Sequence, residues 1–157
     1  PFIKDLNNIC FNISHSKEWV VCAFHYLSLG IDIEYIGTIN LKLAKRFFTQ
    51  EEFNYIQQGE ANKIIDRFYE IWTLKESYLK KIGVGITKGL NTFTIRKTDK
   101  SICVLNCEEG NHFVKVNDVY FKQFDFDENY KLAVCAQKND FCDEIIVHKI
   151  NDIIKDI

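Results

Sequence analysis

The sequence contains no methionine, and its only proline is residue 1. A translated chain starts with methionine unless it is processed, so an N-terminal part is expected to lie outside these 157 residues. No run of roughly 18 apolar residues occurs, so no transmembrane helix is proposed. Pro1-Phe2-Ile3-Lys4-Asp5 lacks the cationic start and apolar stretch of a secretion signal. Positive charge is not in excess: 20 Lys+Arg against 22 Asp+Glu leave a net charge of −2. That balance gives no support to a nucleic-acid partner. No linker rich in Pro, Gly or Ser, no repeat and no low-complexity tract divides the chain. A Gly-x-x-x-x-Gly-Lys-Ser/Thr loop is also missing, which argues against the usual nucleoside-triphosphatase.

What is present is a chain with 46% hydrophobic and 27% charged residues. This suffices for one domain with a core, or for one large piece of a two-lobed protein, and excludes disorder. The six cysteines are Cys10, Cys22, Cys103, Cys107, Cys135 and Cys142. An even number permits disulfides, but most lie in apolar runs and no secretion signal accompanies them. Buried free thiols in a reducing, cytoplasmic compartment are the expectation. The spacing of Cys103 and Cys107 hints at zinc, yet no second Cys or His pair completes a set of ligands.

Residues 11–16 read as a short strand entering a turn. Residues 19–26 are apolar on both faces, which predicts a buried strand. Ser28-Leu29-Gly30 offers turn chemistry and residues 29–36 predict a second strand, so these two are expected to form a hairpin. Residues 41–48 predict a short helix. Thr49-Gln50-Glu51-Glu52 is a capping box opening a helix to about Gln57. Residues 61–82 carry helical apolar spacing, closed by Gly83. Strands are predicted over 92–96, 101–105, 119–126 and 130–137, with Asp127-Glu128-Asn129 as the last turn. Residues 145–148 predict another short strand and residues 151–157 a short helix. Strands, then helices, then strands give an α+β fold, an antiparallel sheet with helices packed on it.

Three features break the local pattern. In Gly30-Ile31-Asp32-Ile33-Glu34, alternation puts Asp32 and Glu34 on one strand face and Leu29, Ile31 and Ile33 on the other. Like charges there repel, so either the strand is a solvated edge or a hard cation compensates. On the long helix Ile64, Phe68, Ile71, Trp72, Leu79 and Ile82 form one apolar stripe. Lys75 falls within it, about 20° from Phe68. An ammonium there snorkels to water or needs a partner or ligand. Glu76 and Lys80, one turn apart, are an ordinary ion pair or part of a site. Finally, Asn12-Ile13-Ser14-His15-Ser16 is either a turn bonded to its own backbone or a holder of an anion such as phosphate. Ser14 and His15 point to opposite strand faces, which makes them a poor nucleophile and base. Together the features offer three carboxylates, Asp32, Glu34 and Glu76, for a divalent metal and a base. Two lysines, a histidine and a serine would serve phosphates. This set suits metal-assisted transfer of a phosphate-bearing group.

Phe11-Asn-Ile-Ser-His-Ser16, Gly30-Ile-Asp-Ile-Glu34 and Trp72-Thr-Leu-Lys-Glu-Ser-Tyr-Leu-Lys80 resemble, in order and spacing, the motifs of Sfp-like 4′-phosphopantetheinyl transferases. Ala44-Lys-Arg-Phe-Phe-Thr49 with Glu52, and Gly83-Val-Gly85, also look like that family. The resemblance covers about residues 1 to 137. It implies Mg²⁺-dependent transfer of the phosphopantetheine arm of coenzyme A to a serine of an acyl or peptidyl carrier protein, releasing 3′,5′-ADP. It further implies that Asp32, Glu34 and Glu76 bind Mg²⁺ and that Glu76 is the base, directly or through water. Lys75 and Lys80 would neutralise phosphate charge, with Lys80 on the pyrophosphate, and Ser14 and His15 would contact the coenzyme's phosphates. Glu52 matches an acidic position of the family, but its capping role explains it.

Family members of this type look like two similar lobes with coenzyme A in the cleft between them. Residues 1–16 then resemble the end of the inter-lobe connection and a first strand, and residues 17–157 the C-terminal lobe. The N-terminal lobe, or a second copy in its place, would complete the cleft. The apolar faces beside strands 11–16 and 29–36 are accordingly expected to be exposed. The carrier protein is expected to dock on helices 41–56, where Phe47, Phe48, Phe53, Tyr55 and Ile56 are candidates for a small apolar patch. No nucleic acid or membrane is expected as a partner. A different metal-dependent nucleotide hydrolase and a non-catalytic binding lobe are the rival readings.

Overall fold

A computed structural model of the chain describes residues 8–60, 62–85, 89–108 and 112–154. Among the described residues, eight strands and four α-helices follow in the order β1 (Cys10–Ser16), β2 (Trp19–His25), β3 (Leu29–Tyr35), α1 (Leu41–Phe47), α2 (Gln50–Gln57), α3 (Lys63–Ile82), β4 (Phe93–Lys97), β5 (Ile102–Glu108), β6 (His112–Lys115), β7 (Tyr120–Phe124), β8 (Tyr130–Ala136) and α4 (Ile150–Ile154). All strand pairs are antiparallel, in three sheets: β1-β2, β3-β8-β7 and β4-β5-β6. The α+β class expected from the sequence is the one observed.

The helices form where local chemistry directs them. The Thr49 hydroxyl accepts from Glu52 N while the Glu52 carboxylate accepts from Thr49 N at 2.8 Å, closing the capping box of α2. Gly83 ends α3 in the left-handed conformation, φ 71°. The apolar stripe of α3 buries Phe68, Ile71, Leu74, Tyr78 and Leu79 against Phe48, Ile56, Phe93, Ile95, Val104 and Cys135. A second cluster unites Ile31 and Ile33 of β3 with Leu132 and Val134 of β8, covered by Trp19, Val21 and Ala23 of β2. Thus β3 has one face on α3 and the other on β2, as its alternation of apolar and acidic residues requires.

Several expectations are corrected. The hairpin is β1-β2, not β2-β3, and β3 pairs instead with β8, Gly30 opposite Cys135 and Asp32 opposite Ala133. The β1-β2 connection is Lys17-Glu18, with Lys17 at φ 48°, a conformation usually supplied by Gly or Asn. β2 is not buried on both sides: Val20 is 72% and Phe24 75% exposed, with Ile13 of β1 at 49% on the same hairpin face. This matches the expected exposed face beside strand 11–16, whereas the apolar face of strand 29–36, also expected to be exposed, is buried: Ile31 and Ile33 pack under Trp19, Val21 and Ala23. No strand forms over 145–148, while β6 is an addition. The helix expected over 61–82 begins at Lys63, and Ala61 and residues 155–157 lie outside the described residues. Phe48 and Ile56 are buried, and Phe47, Phe53 and Tyr55 pack against the same core, so the apolar patch expected on α1 and α2 is turned inward. Of the described thiols Cys135 is buried, where desolvation pushes its pKa up to about 12, whereas Cys10, Cys22 and Cys142 are exposed rather than buried as expected.

Candidate active site

A missing side chain builds the site. A Cβ on Gly30 would lie 2.1 Å from the Ser77 carbonyl oxygen and 2.5 Å from Lys81 N. With glycine there, α3 lies directly on β3. This approach sets Lys80 beside Asp32, on the helix-facing side of the strand. Lys80 Nζ donates to Asp32 Oδ1 at 2.7 Å, to the Ile31 carbonyl at 3.0 Å and to Ser14 Oγ at 2.9 Å. Asp32 is itself buried and accepts from the Ser14 hydroxyl at 3.0 Å. Glu34 bonds with the Trp72 side chain and accepts from the Ser16 hydroxyl at 3.4 Å. Glu76 faces the same group from α3 and is electrostatically coupled to Asp32, Lys80 and Glu34.

Burial raises the pKa of all three carboxyls. The Asp32 charge adds to the rise at Glu34 and Glu76, while Lys80 and Ser14 hold the rise back at Asp32. One ammonium therefore serves three acids. Asp32 Oδ2 and Glu76 Oε1 are buried with no hydrogen-bond partner among the described residues. Buried polar atoms nearly always have one. Two unpaired carboxylate oxygens within an acid-rich cluster fit a hard divalent cation. Among the described residues no three carboxylate, imidazole or thiol groups close into a ready-made metal cage. A cation at this cluster would need further oxygen ligands from water or phosphate.

The structure thus brings Ser14, Asp32, Glu34, Glu76 and Lys80 together. It does not bring Lys75. That ammonium is fully buried on the other side of α3, 2.5 Å from Glu52 Oε1 and 2.8 Å from the Phe93 carbonyl, and 4.1 Å from the centre of the Phe93 ring. The expected phosphate contact is corrected to a core ion pair, and Glu52 does more than cap α2. Ser14 is in the cluster, where its hydroxyl donates to Asp32 and accepts from Ile33 N at 3.3 Å and from Lys80. His15 is exposed on the opposite face of β1, across from Val20. Sequence reasoning missed the roles of Gly30 and Trp72, and considered Ser16 only as part of an anion-holding segment, not as a partner of Glu34. The alternation of Asn12, Ser14 and Ser16 on one strand face was the available signal for Ser16. Two surface pockets of about 210 and 240 Å³, one beside Arg96 and one beside Lys131, share no residue with the cluster, which lies in neither.

Comparison with known proteins adds three findings. A family model described as "4'-phosphopantetheinyl transferase superfamily" matches residues 28–135. A 4′-phosphopantetheinyl transferase of Bacillus subtilis is 36% identical over 154 residues, which is 98% of this chain and 66% of the relative. The 4′-phosphopantetheinyl transferase Sfp of Bacillus subtilis strain 168 is 34% identical over the same shares of both chains. The chain therefore spans 66% of the length of these relatives. Among solved structures, the holo-[acyl-carrier-protein] synthase of Thermotoga maritima matches with a TM-score of 0.54 at 12% identity, over 69% of this chain and 61% of that one, a likeness of fold.

Proposed function

Since the chain belongs to the 4′-phosphopantetheinyl transferase superfamily, we propose that its carboxylate cluster transfers 4′-phosphopantetheine from coenzyme A to a serine hydroxyl of an acyl or peptidyl carrier protein. The observation that carries this reading is the pair of unpaired buried oxygens, Asp32 Oδ2 and Glu76 Oε1, beside the Lys80 ammonium. Acids that leave ligand positions open next to a fixed cation suit a bound metal and a pyrophosphate.

In this reading Asp32, Glu34 and Glu76 hold Mg²⁺. When bound, the ion offsets the charge of the pyrophosphate and of the departing 3′,5′-ADP. Lys80 neutralises pyrophosphate charge from the helix side. The carrier serine oxygen forms a bond to the β-phosphorus, and the bond from that phosphorus to the bridging oxygen breaks, leaving with 3′,5′-ADP. Glu76 takes the serine proton, directly or through water. Most of the acceleration comes from positioning and electrostatics. His15, on the outer face of β1, is kept as a candidate contact for the coenzyme's phosphates. The exposed hairpin face of Ile13, Val20 and Phe24 suits cover by a first lobe or a second copy that completes the cleft. Among the described residues no helix is long and apolar enough to cross a membrane. We place the reaction in the cytoplasm, without nucleic-acid or membrane partners.

Mass spectrometry of an apo carrier protein incubated with coenzyme A, Mg²⁺ and the protein tests the reading. A gain of the phosphopantetheine mass supports it. Coenzyme breakdown with the carrier unchanged would replace it by a hydrolase, and no change at all by a non-catalytic binding lobe.

A further inference from the structure

We propose that β1 is a hydrogen-bonding rail whose Ser14 and Ser16 are positioning residues for the metal-binding carboxylates; this rests on the transferase reading above. β3 pairs with β8 along one edge. The amides of Ile31, Ile33 and Tyr35 need acceptors of their own. They do not find them in the backbone of another strand. Ile31 N donates to Asn12 Oδ1 at 3.1 Å, Ile33 N to Ser14 Oγ at 3.3 Å and Tyr35 N to Ser16 Oγ at 3.0 Å. Every second side chain of β1 serves the amide 19 residues further along. The period of two in a strand puts these three side chains on one face and gives the Asn-x-Ser-x-Ser pattern a structural meaning.

Counting protons fixes what the rail does. A serine hydroxyl has one proton and two lone pairs. At Ser14 the lone pairs receive the Ile33 amide and the Lys80 ammonium, so the proton goes to Asp32 Oδ1. Lys80 donates to that same oxygen. Both bonds pin one carboxylate oxygen and leave Oδ2 as the open one. Ser16 repeats the device more loosely, accepting from Tyr35 N and donating to Glu34 Oε2. In this role the two hydroxyls act through Asp32 and Glu34.

The test compares wild type, Ser14→Ala, Ser14→Thr and Ser16→Ala in the intact protein. Amide hydrogen exchange reads the rail, Mn²⁺ binding by electron paramagnetic resonance reads the metal site, and the KM for coenzyme A at saturating Mg²⁺ reads phosphate contact. Ser14→Ala is expected to speed exchange at Ile33 by about ten-fold or more while sparing Tyr35, and Ser16→Ala the reverse. Ser14→Ala is expected to weaken Mn²⁺ by roughly 10–100-fold, the usual cost of losing an orienting partner, with KM changed less than about two-fold. Ser14→Thr, which keeps the hydroxyl, restores Mn²⁺ binding. Unchanged Mn²⁺ affinity in Ser14→Ala with a raised KM would overturn the proposal and return Ser14 to phosphate binding. A wild-type protein that binds no Mn²⁺ would instead sink the metal reading itself, and the positioning role with it.

Discussion

Lys75 and Lys80 stand five residues apart on α3, and each pairs with a carboxylate from another element. They differ in what surrounds the pair. Around Lys75 every group is matched: Glu52 Oε1 takes the ammonium and the Ile95 amide, Glu52 Oε2 takes the Thr49 amide, and the Phe93 carbonyl takes a further ammonium proton. Around Lys80 the sum does not close, because Asp32, Glu34 and Glu76 share one ammonium and two of their oxygens have no partner. A satisfied buried pair rigidifies a core, whereas the unpaired oxygens on the other side of the same helix are what the proposed metal site rests on. Residue type alone does not separate structural from functional charge; the local balance of donors and acceptors does.

Changes at the two lysines should therefore break different properties. Lys75→Met strands the Glu52 charge in the core and is expected to cost about 3–5 kcal/mol of stability in urea melts. Adding Glu52→Gln removes that charge and should recover part of the loss, since the amide can accept from only one of the Thr49 and Ile95 N–H groups. A single-variant cost below about 1 kcal/mol, as for an exposed pair, would contradict the difference drawn between the two sites. Asp32→Asn is the converse, expected to lower carrier modification by about 10²–10³-fold while the unfolding midpoint holds or rises.

Two smaller effects sharpen the contrast. Gly30→Ala forces a Cβ into the Ser77 carbonyl, so it should cost roughly 1–3 kcal/mol and also lower transfer by moving Lys80 away from Asp32. Stability without transfer loss would disconnect the close approach from the site. The smallest effect is in pH. The folded pKa values of Asp32, Glu34 and Glu76 lie above their ordinary 3.8, 4.5 and 4.5, so the native state binds more protons across that interval. Stability then falls as pH rises through the folded values, and Tm of EDTA-treated protein should increase as pH is lowered from neutrality toward them. Glu34→Gln should flatten that slope, and an equal slope in the variant would remove the cluster as its cause.

Much of this contrast was legible in the chain. Alternation alone put Asp32 and Glu34 together, and a lysine inside an apolar helical stripe marked Lys75 as needing explanation. The explanation lay 23 residues upstream in Glu52, already accounted for by its capping box, so nothing local announced its second partner. The strand pairing was misread for a similar reason. Ser28-Leu29-Gly30 carries turn chemistry, yet the hairpin closes at Lys17-Glu18, where a lysine adopts the φ usually left to glycine. β3 found its partner in β8, about a hundred residues on, because that pairing buries Ile31 and Ile33 beside Leu132 and Val134. The role of Gly30 was hidden because close approach is a property of two elements and appears in neither sequence alone.

In the proposed reading the Lys80 cluster, not the Lys75 pair, would hold the metal and the coenzyme's pyrophosphate. Calorimetric titration of coenzyme A, with Mg²⁺ and with EDTA, into wild type, Asp32→Asn and the Glu52→Gln/Lys75→Met double variant measures this directly. Mg²⁺-dependent binding is expected in wild type, retained within about two-fold in the double variant and lost in Asp32→Asn, by the roughly 10–100-fold or more that removing a metal-site group costs. Equal coenzyme affinity in all three proteins, with or without Mg²⁺, would contradict it.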